Sequence, residues 1–314
     1  MSGGLKSRIK SSRDYPVYSG VDSLPEGRAS DEITEGCLVL EGGAFRAVYG
    51  EGVLDALMEE NLNFQCTVGV SAGALNGFNY VSGEIGRAAR INLRYRHDPR
   101  YTGMQAIARN KSVIGFDFIF SPEKLGMPLD YKRFYDPSRR FVAVATSMLT
   151  GEAIYFEKGS CDIFTAVQAS ASMPYVSSPV RVAGIPCLDG GCRVKVPFQW
   201  ALDQNFSRVI VVRTREMAYR RDENGASDRM AKKYYRKYPE FAEIMSDSSA
   251  RANRDVEEMA ELAASGRIFL IAPSRPVDAG RMEPDMEKLG YLYYLGYTDA
   301  KRRIPALRAW LKTH

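Results

Sequence analysis

Gly69-Val70-Ser71-Ala72-Gly73 places one hydroxyl at the apex of a sharp turn. An apolar run, Cys66 to Val70, leads into it, and a stretch able to form a helix, Ala72 to Tyr80, leads out. G-x-S-x-G at a strand-to-helix junction reads as a nucleophile elbow. The glycines at 69 and 73 are needed because such a turn leaves no room for a Cβ on either side. The serine then projects from the C-terminal edge of a sheet. Its backbone amide lies near a helix N-terminus, where partial positive charge gathers. That arrangement suits covalent catalysis by an activated hydroxyl.

A serine hydroxyl needs a base, and the chain holds only two histidines. His314 is the last residue, where chains fray. His97 lies in the polar run Arg96-His97-Asp98-Pro99-Arg100. The order Ser…Asp/Glu…His requires a histidine far downstream, and only the terminal one is available. A Ser-His-Asp triad is therefore not expected, and the base should be a lysine or a carboxylate. Cys187-Leu188-Asp189-Gly190-Gly191 ends a short apolar strand with an aspartate before two glycines. By itself this is as readable as an ordinary Asp-Gly surface turn. Its neighbourhood changes the weighting, because Ala169-Ser170-Ala171-Ser172-Met173-Pro174 precedes it.

A third element lies upstream of both. Cys37-Leu38-Val39-Leu40 reads as a buried strand, followed by Glu41-Gly42-Gly43-Ala44-Phe45-Arg46-Ala47 and an amphipathic helix to about Glu60. Successive N–H groups in a glycine-rich turn can converge on an anion. The turn reads as an oxyanion hole, with Arg46 as buttress or added charge, or more plainly as a phosphate-binding loop or a tight strand-helix turn. It lacks the Walker lysine and the G-x-G-x-x-G spacing, so nucleotide binding has little support.

These three elements, in this order, resemble the patatin-like phospholipase family, in its bacterial branch. The likeness runs from about Gly36 to the C-terminus. It implies a three-layer α/β/α fold with a mainly parallel central sheet, and a Ser-Asp dyad acting on lipid acyl esters. Carried over residue by residue, Ser71 is the nucleophile and Asp189 the base. Gly42, Gly43, Ala44 and Arg46 form the oxyanion turn with the N–H of Ala72, and Gly69 and Gly73 flank the elbow. The chain departs from the family pattern at Ala44 and Ala47, where glycines are expected. Alanine still donates its N–H, but a positive φ at position 44 would strain it. The same dyad would serve an acyltransferase, and a non-catalytic acyl-binding protein is the third reading.

The elements that must position these groups follow from apolar patterning. Strands are expected near 37–41, 65–70, 141–146, 153–156, 180–183, 208–213 and 267–272. Helices are expected near 46–60, 72–82, 86–95, 161–171 and 196–204. Strands separated by helices imply a parallel sheet covered on both faces. Residues 228–265 read as two helices broken near Ser246-Asp247-Ser248. Residues 285–312 read as helix broken near Gly296 and at Pro305. Residues 1–35 read as a partly ordered arm before a domain spanning 36–314 with a C-terminal helical extension. Residues 97–137 look loop-like, with Phe116, Phe118, Ile119 and Phe120 as acyl-pocket wall, lid or buried edge.

Composition restricts the alternatives. Hydrophobic content of 45% and charged content of 26% are ordinary for a globular protein. No run of about 18 apolar residues predicts a membrane span, and the polar, basic start lacks a signal-peptide core. Five cysteines without a C-x-x-C pair suit reduced thiols, hence a cytoplasmic setting. No metal-ligand pattern is visible, and no cofactor is expected. Net charge is +5. The basic segments Arg213 to Lys237 and Lys301 to His314 read mainly as solvated helix faces, with peripheral contact to anionic lipid as the functional alternative. No nucleic-acid motif accompanies them. The expected partner is a lipid or acyl-ester substrate, and oligomeric state is left open.

Overall fold

The computed structural model describes residues 15–223 and 226–314. The first fourteen residues of the expected N-terminal arm lie outside the described residues. In chain order, β1 (Gly27–Arg28) and β2 (Thr34–Leu40) lead to α1 (Val48–Glu59), β3 (Phe64–Val70), α2 (Ala72–Ser82), β4 (Glu84–Ile85) and α3 (Arg87–Tyr95). Four short helices follow: α4 (Met104–Asn110), α5 (Phe116–Ile119), α6 (Pro122–Leu125) and α7 (Tyr131–Phe134). Then come β5 (Arg140–Ser147), β6 (Ala153–Glu157), α8 (Ile163–Ser170), β7 (Val180–Val182), β8 (Ile185–Asp189), α9 (Phe198–Asp203) and β9 (Val209–Val212). The chain closes with α10 (Ala226–Tyr234), α11 (Pro239–Ser246), α12 (Ser248–Ala264), β10 (Phe269–Ile271) and α13 (Met286–Thr313).

The eight-stranded sheet has the order β10-β9-β2-β3-β5-β8-β7, with β6 on β5. Pairings from β10 through β5 are parallel, and those of β6, β7 and β8 are antiparallel. Alternation along the strands splits the core between the two faces. Leu38, Leu40, Phe141, Ala143, Ala145, Ile210 and Val212 pack under α1, α2, α8 and α13. Cys37, Val39, Val68, Val70, Val142, Val144, Val209 and Val211 pack under α9 and α12 through Phe198, Ala201, Val256 and Met259. Helices on both faces of a mainly parallel sheet make the three-layer α/β/α arrangement expected from the sequence.

Register explains why two residues 118 positions apart in the chain meet. On β5, Val144 pairs with Val70, the last residue of β3, and the next residue, Ala145, pairs with Asp189, the last of β8. β6 occupies the opposite edge of β5, so β3 and β8 meet end to end along one edge. Ser71 leaves one strand end and Asp189 leaves the other.

Four local readings are corrected. The C-terminal helix is continuous over 28 residues, through Gly296 and Pro305. Gly296 is there for contact: a Cβ would lie 1.9 Å from the Tyr49 carbonyl oxygen, and one on Gly52 would lie 2.1 Å from that of Tyr293. The two glycines let α1 and α13 approach backbone to backbone. Because α13 and α3 cover its outer side, α1 is buried from Val48 to Met58, including Glu51 and Asp55, rather than half-solvated. The 226–264 region forms three helices, since Pro239 starts α11 and holds Tyr238 out of helical conformation. The stretch expected as a loop folds into α4–α7, with Phe116 and Phe118 buried against Leu93 and Tyr95. On the N-terminal side, Ser19 bonds Glu287 through both its N–H and its hydroxyl, at 2.8 and 2.9 Å.

Candidate functional site

Ser71 ends the turn between β3 and α2 with φ 57° and ψ −127°. A non-glycine residue held there is strained by roughly 1–3 kcal/mol and persists only where its surroundings fix it. Both elbow glycines answer to contact. A Cβ on Gly69 would lie 2.5 Å from the Gly73 carbonyl oxygen, and one on Gly73 would lie 2.5 Å from that of Leu40. Ala72 and Gly73 open α2, so their N–H groups have no intrahelical acceptor.

The Ser71 hydroxyl donates to Asp189 Oδ2 at 2.7 Å. Asp189 Oδ1 accepts the Gly191 N–H at 2.7 Å. Burial pushes the Asp189 carboxyl above its usual range, while the Ser71 and Gly191 hydrogen bonds and the nearby Lys195 and Arg281 charges pull it back. Neither imidazole joins this pair. His97 Nε2 lies 2.8 Å from the Pro284 carbonyl oxygen, and His314 stacks on Trp310.

The stretch before Pro174 pins both members. Ser170 Oγ accepts the Ser71 N–H at 2.8 Å and donates to the Val144 carbonyl at 2.6 Å. The Ser172 carbonyl accepts the Asp189 N–H at 2.9 Å, and the Thr146 hydroxyl donates to the Asp189 carbonyl at 2.9 Å. The sequence had marked the 169–174 stretch without showing that its two serines reach opposite members of the pair.

The glycine-rich turn lies directly against the elbow. A Cβ on Gly42 would lie 2.8 Å from both Ser71 Cβ and the Val70 carbonyl oxygen. Thr214 bonds the Gly42 carbonyl at 2.9 Å from across the sheet end. Ala44 adopts the positive φ, 51°, that the sequence marked as a difficulty. The conformation costs an alanine about 1–2 kcal/mol, yet the turn is kept, because the Phe45 N–H bonds the Arg281 carbonyl at 3.0 Å and Arg46 N–H bonds that of Gly43 at 3.2 Å. Arg46 is buried and its Nε–H has no partner among the described residues. Burial, then repulsion from Arg215, Arg281 and Arg221, lowers its guanidinium to about 10, with Glu41 opposing.

Two cavities open from Ser71. One is narrow, about 60 Å³, walled by Phe45, Leu75, Phe78, Ile91, Ile119 and Phe120. Of the four aromatic-cluster residues named from sequence, Ile119 and Phe120 line it, and Phe116 and Phe118 do not. The other is a cleft of about 500 Å³ that holds Asp189, Arg46, Lys195, Arg221 and Arg281. Lys195 donates to the Gly191 carbonyl and is lowered to about 8, first by burial and then by Arg221. Sequence reasoning missed Lys195, Arg221 and Arg281. Lys195 follows Asp189 closely enough to have been considered, whereas the two arginines lie in segments with no local motif. Among the described residues, no group of three or more His, Cys, Asp or Glu is placed to hold a metal ion. No helix among them is long and apolar enough to cross a membrane.

The α/β sheet thus carries a serine elbow, a facing aspartate and a glycine-rich turn at its strand ends. The chain belongs to the patatin-like phospholipase family, whose profile matches residues 38–202. Residues 238–312 match a second profile, a domain of unknown function termed DUF6363. The uncharacterized protein YjjU of Escherichia coli is 29% identical over 182 residues, covering 56% of this chain and 51% of that one. An uncharacterized NTE family protein, Rv1063c of Mycobacterium tuberculosis, is 28% identical over 171 residues, covering 51% and 43%. The chain thus spans about half the length of these curated relatives. The crystal structure of VipD from Legionella pneumophila aligns with a TM-score of 0.45 and 15% identity, covering 93% of this chain and 70% of that one.

Proposed function

We propose that the protein is a serine hydrolase of lipid acyl esters, using Ser71 as nucleophile and Asp189 as base. The 2.7 Å hydrogen bond between Ser71 Oγ and Asp189 Oδ2, at the junction of the two cavities, carries this reading. As Ser71 Oγ bonds to the ester carbonyl carbon, its proton passes to Asp189 and the carbonyl π pair moves onto oxygen. The oxyanion is held by N–H groups of the Gly42–Ala44 turn and of Ala72. Collapse breaks the C–O bond to the alcohol, which leaves with the proton from Asp189. Water repeats the sequence on the acyl-serine. The narrow apolar pocket takes the acyl chain, and the cleft takes the alcohol part. The scheme draws on no cofactor. An aspartate is a weaker base than histidine, so positioning and oxyanion stabilisation must contribute more.

A fluorophosphonate probe should label Ser71, and p-nitrophenyl esters of graded chain length should be turned over. Absence of both in folded protein would leave only an acyl-binding role. The width of the cleft also admits an alcohol in place of water. Product analysis with and without a lysolipid acceptor separates hydrolysis from acyl transfer.

A further inference from the structure

The cleft beside the dyad gathers four cations, Arg46, Lys195, Arg221 and Arg281, within one lining. Only two carboxylates share that lining, Glu41 and Asp189. Glu41 is already engaged, since its Oε2 accepts the Thr214 N–H at 2.7 Å and lies 3.5 Å from Arg213 Nε. Asp189 is held by Ser71 and Gly191. Among the described residues none of the four cations has an ion-pair partner, and the buried Arg46 keeps an unpartnered Nε–H. Like charges concentrated without anions are costly, because each raises the cost of ionising the next. Arg46, Lys195 and Arg221 are all lowered, first by burial and then by neighbouring cations, with Glu41 opposing at Arg46 and Arg221. An arriving anion would relieve that repulsion. The hydroxyl-bearing Ser248 and Ser249 line the same wall and add donors. Guanidinium forks match phosphate oxygens in pairs, whereas the head of a zwitterionic lipid would bring a further cation.

We propose that the cleft is a phosphate subsite that selects acyl esters whose alcohol part carries a phosphate without an accompanying cation. This rests on the acyl-ester reading above. Arg221 and Arg281 lie outside the segment matching the patatin-like profile, and Arg281 lies within the DUF6363 segment. Head-group choice is thus supplied from beyond the shared catalytic core.

The test compares 1-acylglycerol 3-phosphate with the monoacylglycerol and the lysophosphatidylcholine of the same chain, in mixed micelles at neutral pH. The phosphate ester should be favoured in kcat/KM by about 10- to 100-fold, the value of one or two charge-assisted hydrogen bonds. In the double variant Arg221→Gln/Arg281→Gln that ratio should fall toward one, measured against p-nitrophenyl butyrate within the same folded preparation. In parallel, inorganic phosphate should raise the Tm of the full-length Ser71→Ala protein beyond chloride of equal ionic strength. The gain should vanish when the two arginine changes are added. Phosphate binding without preference for the phosphorylated ester would assign the site to free phosphate and overturn the head-group role. Butyrate turnover with neither effect would overturn the subsite and leave the hydrolase standing. Phosphate binding without any ester turnover would do the reverse.

Discussion

The two cavities that meet at Ser71 treat buried charge in opposite ways. The narrow pocket has Glu51 in its lining, bonded to Asn92 through one oxygen and with Oε2 unpartnered among the described residues. Burial, then the neighbouring Asp55, pushes Glu51 well above the usual carboxylate range, and burial raises Asp55 to about 7. The upward shifts favour the neutral acids, and the one cation in the lining, Arg87, bonds Asn79 and the Pro128 carbonyl. The wide cleft cannot do the same. Arg46, Lys195 and Arg221 are depressed by burial and by neighbouring cations, but Arg46 at about 10 and Lys195 at about 8 still carry charge at neutral pH. Desolvation disfavours either sign equally. What differs is where the shifts lead: the carboxyls are pushed up toward neutrality, whereas Arg46 and Lys195 stay above it. One serine therefore faces a mostly apolar pocket on one side and a cluster of four cations on the other.

The largest expected effects break the boundary itself. Ser71→Ala and Asp189→Asn should each lower ester turnover on the order of 10⁴-fold or more while the fold is retained, as for other single losses from a catalytic unit. His97→Gln should be nearly silent. Because the Asp189 base must be ionised and burial raises its pKa, activity should fall on the acid side at a pH above the usual carboxylate range. Loss of turnover in His97→Gln with retention in Asp189→Asn would reverse the assignment.

Arg46 belongs to the positive side but touches the turn. Arg46→Ala should reduce kcat by about 10²–10³-fold, comparable to losing one oxyanion donor, with a smaller change in KM. An unchanged kcat would confine it to the cleft's charge. On the apolar side, Ala88 lines the narrow pocket. Ala88→Leu should fill much of the roughly 60 Å³ and lower the long-chain to short-chain ratio of kcat/KM by about tenfold. A parallel loss for all chain lengths would show that the chain lies elsewhere.

The smallest effect on turnover is expected from Glu51→Gln, and its readout is stability. With its folded pKa raised, Glu51 stabilises fully below its unfolded value near about 4.3 and loses that contribution as pH rises through the folded value. The glutamine should flatten that part of the Tm–pH curve. A slope that persists unchanged would show that Glu51 is not the group titrating there.

Much of this was legible in local sequence. Turn chemistry is written in short motifs because steric demands act over a few residues, so Gly69, Gly73, Gly42 and the two strands that carry them could be read directly. Elimination narrowed the expected base to a lysine or a carboxylate because only two histidines exist. Cross-chain contacts left no such trace. Gly296 reads as a helix breaker in isolation but is a contact point against Tyr49. Ala44 reads as an obstacle to the turn, yet neighbours from distant segments hold it at positive φ.

The sequence by itself determined the alternation of the main sheet strands with their covering helices, the elbow, and Ser71 and Asp189 as candidates for chemistry. Tertiary structure decided that β8 runs end to end with β3 along one edge of β5, which sets Asp189 against Ser71. It also decided that Arg221 and Arg281, each from a segment without a motif, share a cleft with Arg46 and Lys195. The reason is physical: a turn is fixed by its own covalent geometry, whereas the field inside a cleft is the sum of charges whose spacing only the packed chain sets.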